Sequence, residues 1–152
     1  LEHAVHLDRT SYLRLTLATN SSAIRNTSAT MMKVRSGTKG VVIAVGPMLD
    51  PVLEATSSMD VSVLYATTVR PFDGATLRSE VGEVANVILV EPYLAGTSSA
   101  QVADSLVDVP HRILALGVGE VDTHHFGTRI EHDRRHGLDA EGIARAVANF
   151  LK

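Results

Sequence analysis

The sequence predicts an α/β fold: three layers around a mostly parallel sheet of about five strands, one of them antiparallel. Three observations carry this. Residues 41–45 (VVIAV) are apolar throughout and β-branched at four positions, which suits a strand buried on both faces. After Gly46 and Pro47, the residues Leu49, Val52, Leu53 and Thr56 recur at i, i+3, i+4 and i+7, one stripe of an amphipathic helix. A second apolar run follows at residues 61–66, completing a strand–helix–strand unit whose crossover is nearly always right-handed.

The same alternation continues along the chain. Residues 31–35 read as a short strand, and the SGTKG turn that follows would make it antiparallel to the strand at 41–45. Leu77, Val81 and Val84 mark a second helix, residues 87–90 (VILV) a strand ending at Glu91 and Pro92, and Val102, Ala103, Leu106 and Val107 a third helix. Residues 111–116 (HRILAL) form the last strand, ended by Gly117 and Gly119. Thr128 and Glu131 make a capping box, with Gly137 at the C-terminal end of that helix. Asp139 caps a final helix with Leu138 and Ile143 as its hydrophobic staple and Ile143, Ala146, Val147, Phe150 and Leu151 as its stripe.

Upstream, residues 11–17 (SYLRLTL) alternate Tyr12, Arg14 and Thr16 with Leu13, Leu15 and Leu17, the pattern of a half-buried strand. Residues 19–30 turn to Thr, Ser, Asn and Ala, the composition of a linker. A lone strand cannot satisfy its backbone, so residues 1–30 are expected to be the remnant last strand of a preceding domain plus its connection, with the domain proper at 31–152. The first residue is Leu, and the chain is read as either processed or a fragment of something longer.

Composition narrows the function classes. The 152 residues carry a net charge of −3, three Tyr, three Phe and no Trp, which argues against a nucleic-acid surface. No apolar run approaches the ~20 residues of a membrane span, and residues 1–30 lack the pattern of a secretory leader. The absence of cysteine excludes disulfides, thiolate metal sites and a cysteine nucleophile. A cytoplasmic protein with no nucleic-acid or membrane partner is expected.

Candidate chemistry is sparse. Gly96-Thr97-Ser98-Ser99-Ala100 loosely matches the nucleophile elbow G-x-S-x-[GA], with Asp122 and His125 following in hydrolase order. The elbow must turn directly off its strand, however, and Pro92-Tyr93-Leu94-Ala95 intervenes. A loop of small residues passing a helix start is the plainer reading. His132 and His136 stand at i, i+4, and Asp122, His124 or His125 could supply a third metal ligand. Arg134 and Arg135 beside them favour an ordinary polar helix face. For phosphates, residues 37–40 lack the length and order of a P-loop, and Gly117-Val118-Gly119 is not completed to G-x-G-x-x-G. Gly96, Thr97, Ser98 and Ser99 could hold an anion on backbone N–H groups, although simple N-capping by Ser or Thr is the plainer role. Catalytic, cofactor-binding and metal residues are therefore expected to be absent from this chain.

At residues 65–73, and again at 87–151, the sequence resembles the C-terminal domain of the transketolase family. These are thiamine-diphosphate enzymes: transketolases, deoxyxylulose-phosphate synthases and the beta subunits of 2-oxoacid dehydrogenases. The matching stretches are VVIAVGPMLDPVLEA, the Arg-Pro-Phe-Asp turn at Arg70 to Asp73, NVILVE, GVGEVDTHHFG and HGLDAEGIARAVANFL. Tyr12-Leu13-Arg14-Leu15 resembles the last strand of the family's pyrimidine-binding domain. One departure stands out: where the family usually carries a glycine-rich loop after the strand ending at Glu91, this chain reads PYLAGTSS.

The resemblance implies that thiamine diphosphate and Mg²⁺ are bound in the parent enzyme and not here. The family's cofactor motif is Gly-Asp-Gly, which this sequence lacks, and its essential glutamate would lie upstream of Leu1. What it implies for this chain is a non-catalytic assembly or dimerisation domain, inactive alone. The parent would be a transferase moving ketol groups between sugar phosphates. Its partners would be the rest of the same enzyme or a companion subunit, in a homo-oligomer. The alternatives are the same domain from a 2-oxoacid dehydrogenase beta subunit, or a free-standing anion-binding regulatory module.

Overall fold

The computed structural model describes residues 10–24, 28–82, 85–119 and 126–152. Strand β2, Val41–Val45, lies at the middle of a five-stranded sheet, buried at all five positions. Its neighbours are β3, Ser62–Ala66, and β4, Ala85–Leu94, both parallel to it. Strand β5, His111–Val118, extends the sheet in parallel beyond β4, and β1, Met32–Arg35, runs antiparallel along the outer side of β3. The order is β1-β3-β2-β4-β5.

Period-two alternation sorts the strand side chains into two cores. Val42, Ala44, Val63, Tyr65, Ile88 and Val90 face one side, with Val41, Ile43, Val45, Leu64, Ala66, Val87 and Leu89 on the other. Helix α1, Leu49–Ala55, and helix α5, Ala140–Phe150, cover the first face with Leu49, Val52, Ile143 and Val147. Helix α2, Gly74–Glu80, and helix α3, Ser99–Ser105, cover the second with Leu77, Val102 and Leu106. The chain moves from β2 to β3 through α1, then reverses across β2 to reach β4 through α2. Crossovers of one hand require the helix to change face when the direction of travel reverses, and it does.

The short helix α4, Arg129–Arg135, has the expected capping box between Thr128 and Glu131. Gly137 follows at φ +65°, where an L side chain would be strained, and the Leu138 amide closes the helix end on the Asp133 carbonyl at 2.7 Å. Asp139 accepts from the Gly142 amide at 3.0 Å, with Leu138 and Ile143 both buried as the staple.

Strand β1 runs antiparallel to β2, as its turn implies, and makes its ladder with β3; a short turn fixes direction but not neighbour, and β2 already has a parallel strand on each side. Other expectations are corrected. Strand β4 does not stop at Glu91: it runs through Pro92 to Leu94, where its edge has left β2 and the missing proline N–H costs no ladder bond. Val107 is 84% exposed, because α3 ends at Ser105 and the chain turns before Val107 can join the stripe. Likewise α2 ends at Glu80 with Val81 extended; Val84 lies outside the described residues. Finally, residues 11–17 form no strand. Among the described residues no ladder partner reaches them, and alternation alone cannot hold a strand. No helix among the described residues is long and apolar enough to cross a membrane.

These burial differences predict a contrast. Leu49→Ala should cost about 2–5 kcal/mol in urea unfolding, whereas Val107→Ala should stay within about 0.5 kcal/mol of the parent chain.

Candidate functional site

In open α/β sheets ligands gather at the carboxyl ends of strands where the winding direction reverses, here between β2 and β4. Strand β2 leaves through Gly46 at φ +55°, with nothing within 4 Å of where a Cβ would stand. Residues 10–24 cross this edge as a strap. Asn20 Nδ2 donates to the Gly46 carbonyl and to the Tyr65 hydroxyl, each at 3.2 Å. The Ser21 amide donates to Asp50, Ile24 packs on the α1/α5 core, and the Arg14 guanidinium lies 5.4 Å from the Tyr93 ring centroid, a cation–π distance. Beyond these anchors, Tyr12, Leu15 and Leu17 are 90%, 82% and 104% exposed.

The turn after β3 brings Arg70 and Asp73 to the same edge. Asp73 caps α2 by accepting from the Thr76 amide at 3.1 Å, and it also accepts from the Met31 amide at 2.7 Å. Burial pushes its carboxyl up, but the bonds from Thr76 and Met31 outweigh this and hold it below 3.8. Arg70 spans the gap to the loop before α3, donating to the Thr97 carbonyl at 3.0 Å, Gln101 Oε1 at 2.9 Å and Ser98 Oγ at 3.3 Å.

That loop contains the candidate anion site. Gly96 takes φ +81°. The Thr97 amide donates to the Leu94 carbonyl at 3.3 Å and the Ser99 amide to the Gly96 carbonyl at 3.0 Å, so both are committed within the protein. Ser98 occupies the N-cap of α3 without making a side-chain cap bond. It is 2% exposed, and its hydroxyl instead receives Arg70. Of the hydrolase triad only Ser98 falls within the described residues; Asp122 and His125 lie outside them.

The histidine pair is split in its roles. His136 Nδ1 accepts from the Gly119 amide at 3.3 Å. His132 lines a hollow of about 210 Å³ with Phe126, Gly127, Glu131 and Arg135. His124 and Asp122 lie outside the described residues. Among the described residues no three His, Asp or Glu side chains converge to hold a metal ion, so they do not fit a Mg²⁺–diphosphate group. Residues 37–40 offer no phosphate cradle either: the amides of Gly37, Thr38 and Lys39 bond Ser62 Oγ, Asp60 Oδ1 and the Asp60 carbonyl.

Glu91 is a residue that sequence reasoning missed. It is fully buried at the carboxyl end of β4, and among the described residues neither carboxylate oxygen has a hydrogen-bond partner. Tyr93, two positions on and on the same face, is pushed up to about 12 by burial and then by the charge of Glu91. The signal was present in NVILVE, but ending the strand there put the acid in solvent.

The chain is a three-layer, doubly wound α/β domain whose switch point is crossed by its own strap and loops. Residues 29–143 match the family described as Transketolase, C-terminal domain, and the chain belongs to that family. It is 53% identical over 145 residues to an uncharacterized 33.6 kDa protein in the fasciation locus of Rhodococcoides fascians, covering 92% of this chain and 46% of that protein. It is 32% identical to 1-deoxy-D-xylulose-5-phosphate synthase 2 of Geobacter sulfurreducens over 95% of this chain and 24% of that enzyme. In fold it is similar to a split gene transketolase solved as an inactive beta4 tetramer, with TM-score 0.69, 21% identity, and 88% of this chain against 46% of that one. The chain thus spans less than half the length of these relatives.

Asp73 gives a test of the edge. Its carboxyl is lowered by folding, so its contribution is present above pH 3.8 and is lost as pH falls through the lower folded value. Asp73→Ala should therefore cost about 1 kcal/mol at neutral pH, and the two stability curves should converge in acid.

Proposed function

We propose that this chain is the C-terminal assembly domain of a transketolase-type enzyme, working as a scaffold for chemistry carried out elsewhere in the parent. The observation that carries the reading is the strap. Residues 19–24 are tied to the domain through Asn20, Ser21 and Ile24, while residues 11–17 keep a strand's alternation with Leu15 and Leu17 in solvent. Exposed apolar residues with strand periodicity and unpaired backbone are suited to join another sheet. In this reading residues 11–17 complete the last strand of a preceding pyrimidine-binding domain when that domain supplies a ladder, and residues 19–30 are the connection. The family match and the synthase relative support ketol transfer between sugar phosphates in the parent, with thiamine diphosphate and Mg²⁺ held by its other domains. The split gene transketolase of similar fold is a beta4 tetramer, which supports self-association of the parent subunit.

Separated from that neighbour, the chain should self-associate through the exposed, alternating segment at residues 11–17. Sedimentation velocity at micromolar concentration should give a dimer or larger species, and Leu15→Asn with Leu17→Asn should give a monomer of unchanged fold. A monomeric parent chain, or variants that associate equally well, would remove the strap as an assembly element. The 2-oxoacid dehydrogenase alternative makes a separate demand: its domain should be retained by an acyltransferase core, and a transketolase domain should not.

A further inference from the structure

The sheet ends on two unlike edges. The β1 edge is 4 residues long, carries Lys33 and Arg35, and slips register between them. Short length, charge and irregular register all blunt an edge against further pairing. The β5 edge is 8 residues long, and its one charged side chain, Arg112, turns back to the Phe150 carbonyl at 2.7 Å. No strand pairs with the outer side of β5. Among the described residues, its backbone makes one bond outside the β4 ladder, the Val118 carbonyl accepting from the Ala95 amide at 3.0 Å. Leu114, Leu116 and Val118 pack on the α1/α5 core yet stay half-buried, whereas Ile88 and Val90, the β4 partners of Leu114 and Leu116, are 0% exposed.

Residues 11–17 have the matching need. They place Leu13, Leu15 and Leu17 on one side and Tyr12, Arg14 and Thr16 on the other. No ladder reaches them among the described residues, and all three leucines are exposed. A seven-residue segment of this period suits an edge of 8 residues by strand addition.

We infer that β5 is the receiving edge: residues 11–17 of a second copy add to it as a sixth strand. The inference rests on the assembly role proposed for residues 11–17 and names the surface that takes them in the free-standing chain. Leu13, Leu15 and Leu17 then lie on the side of Leu114, Leu116 and Val118 and extend the α1/α5 core. A slip of one residue would bring Tyr12, Arg14 and Thr16 to that apolar side instead, so the faces fix the register's parity. The tie from Asn20 to the end of β2 favours exchange between copies over closure within one. A strand added beyond β5 lies three strand spacings from β2, about 14 Å, while the backbone from Asn20 back to Leu17 extends about 10 Å. Each copy has one such segment and one such edge, so a reciprocal exchange closes at two copies.

The test uses the 152-residue chain and a charge on the receiving edge, Leu116→Lys, with circular dichroism to confirm the fold. In sedimentation velocity this variant should lose the dimer, as should Leu15→Asn with Leu17→Asn. Mixed together, the two should regain a heterodimer, because one keeps an intact segment and the other an intact edge. A parent chain that stays monomeric would remove the assembly reading and this edge together. A dimer lost with Leu15→Asn and Leu17→Asn but kept in Leu116→Lys would overturn the edge alone, as would a mixture that stays monomeric. Should Leu116→Lys not fold, hydrogen exchange on the unaltered chain decides. On passing from monomer to dimer the β5 amides should slow and those of β1 should not; unchanged exchange in β5 would overturn the inference.

Discussion

The burial of Val41–Val45 on both faces is the constraint from which the rest follows. A strand that is 3%, 0%, 0%, 0% and 6% exposed along its length needs an apolar layer above and below and a hydrogen-bonded neighbour on each side. Parallel neighbours require crossovers, and the crossovers supply the helices that make the layers. Because α1 leaves β2 on one face and α2 returns on the other, β2 is also the strand beside which the winding reverses. The same run of five residues therefore fixes the core and the edge where a ligand site would form.

That edge is filled by the protein itself. Asn20 spans the ends of β2 and β3, Arg70 spans the turn after β3 and the loop before α3, and Glu91 and Tyr93 lie beneath. Amides that could have faced an anion at residues 97 and 99 are spent on neighbouring carbonyls. An enzyme domain can close its switch point in this way when the reacting groups come from elsewhere, and the proposed role as an assembly domain accords with it. The strap adds a direction: its inner half is anchored, and its outer half presents leucines to solvent.

Much of this fold was legible because its signals are local. Apolar runs, the i, i+3, i+4 stripe of α1, the Thr128–Glu131 box and the Leu138–Ile143 staple each depend on residues within one or two turns. What was not legible depends on distant partners. Nothing in residues 31–35 says that β3 rather than β2 will receive them. The alternation of residues 11–17 is a strand's pattern without its ladder. Glu91 looked like a strand end because an acid usually marks solvent; only the continuation of β4 to Leu94 puts it inside. Arg70 and Ser98 meet across 28 residues of sequence, yet no spacing rule announces them.

The central claim is that this chain supports an enzyme whose cofactor is bound by other domains. Calorimetric titration of the 152-residue chain with thiamine diphosphate and Mg²⁺ tests it most directly. Heats indistinguishable from dilution are predicted. Saturable binding at micromolar concentration would contradict the claim and would place a cofactor site in residues now assigned to assembly.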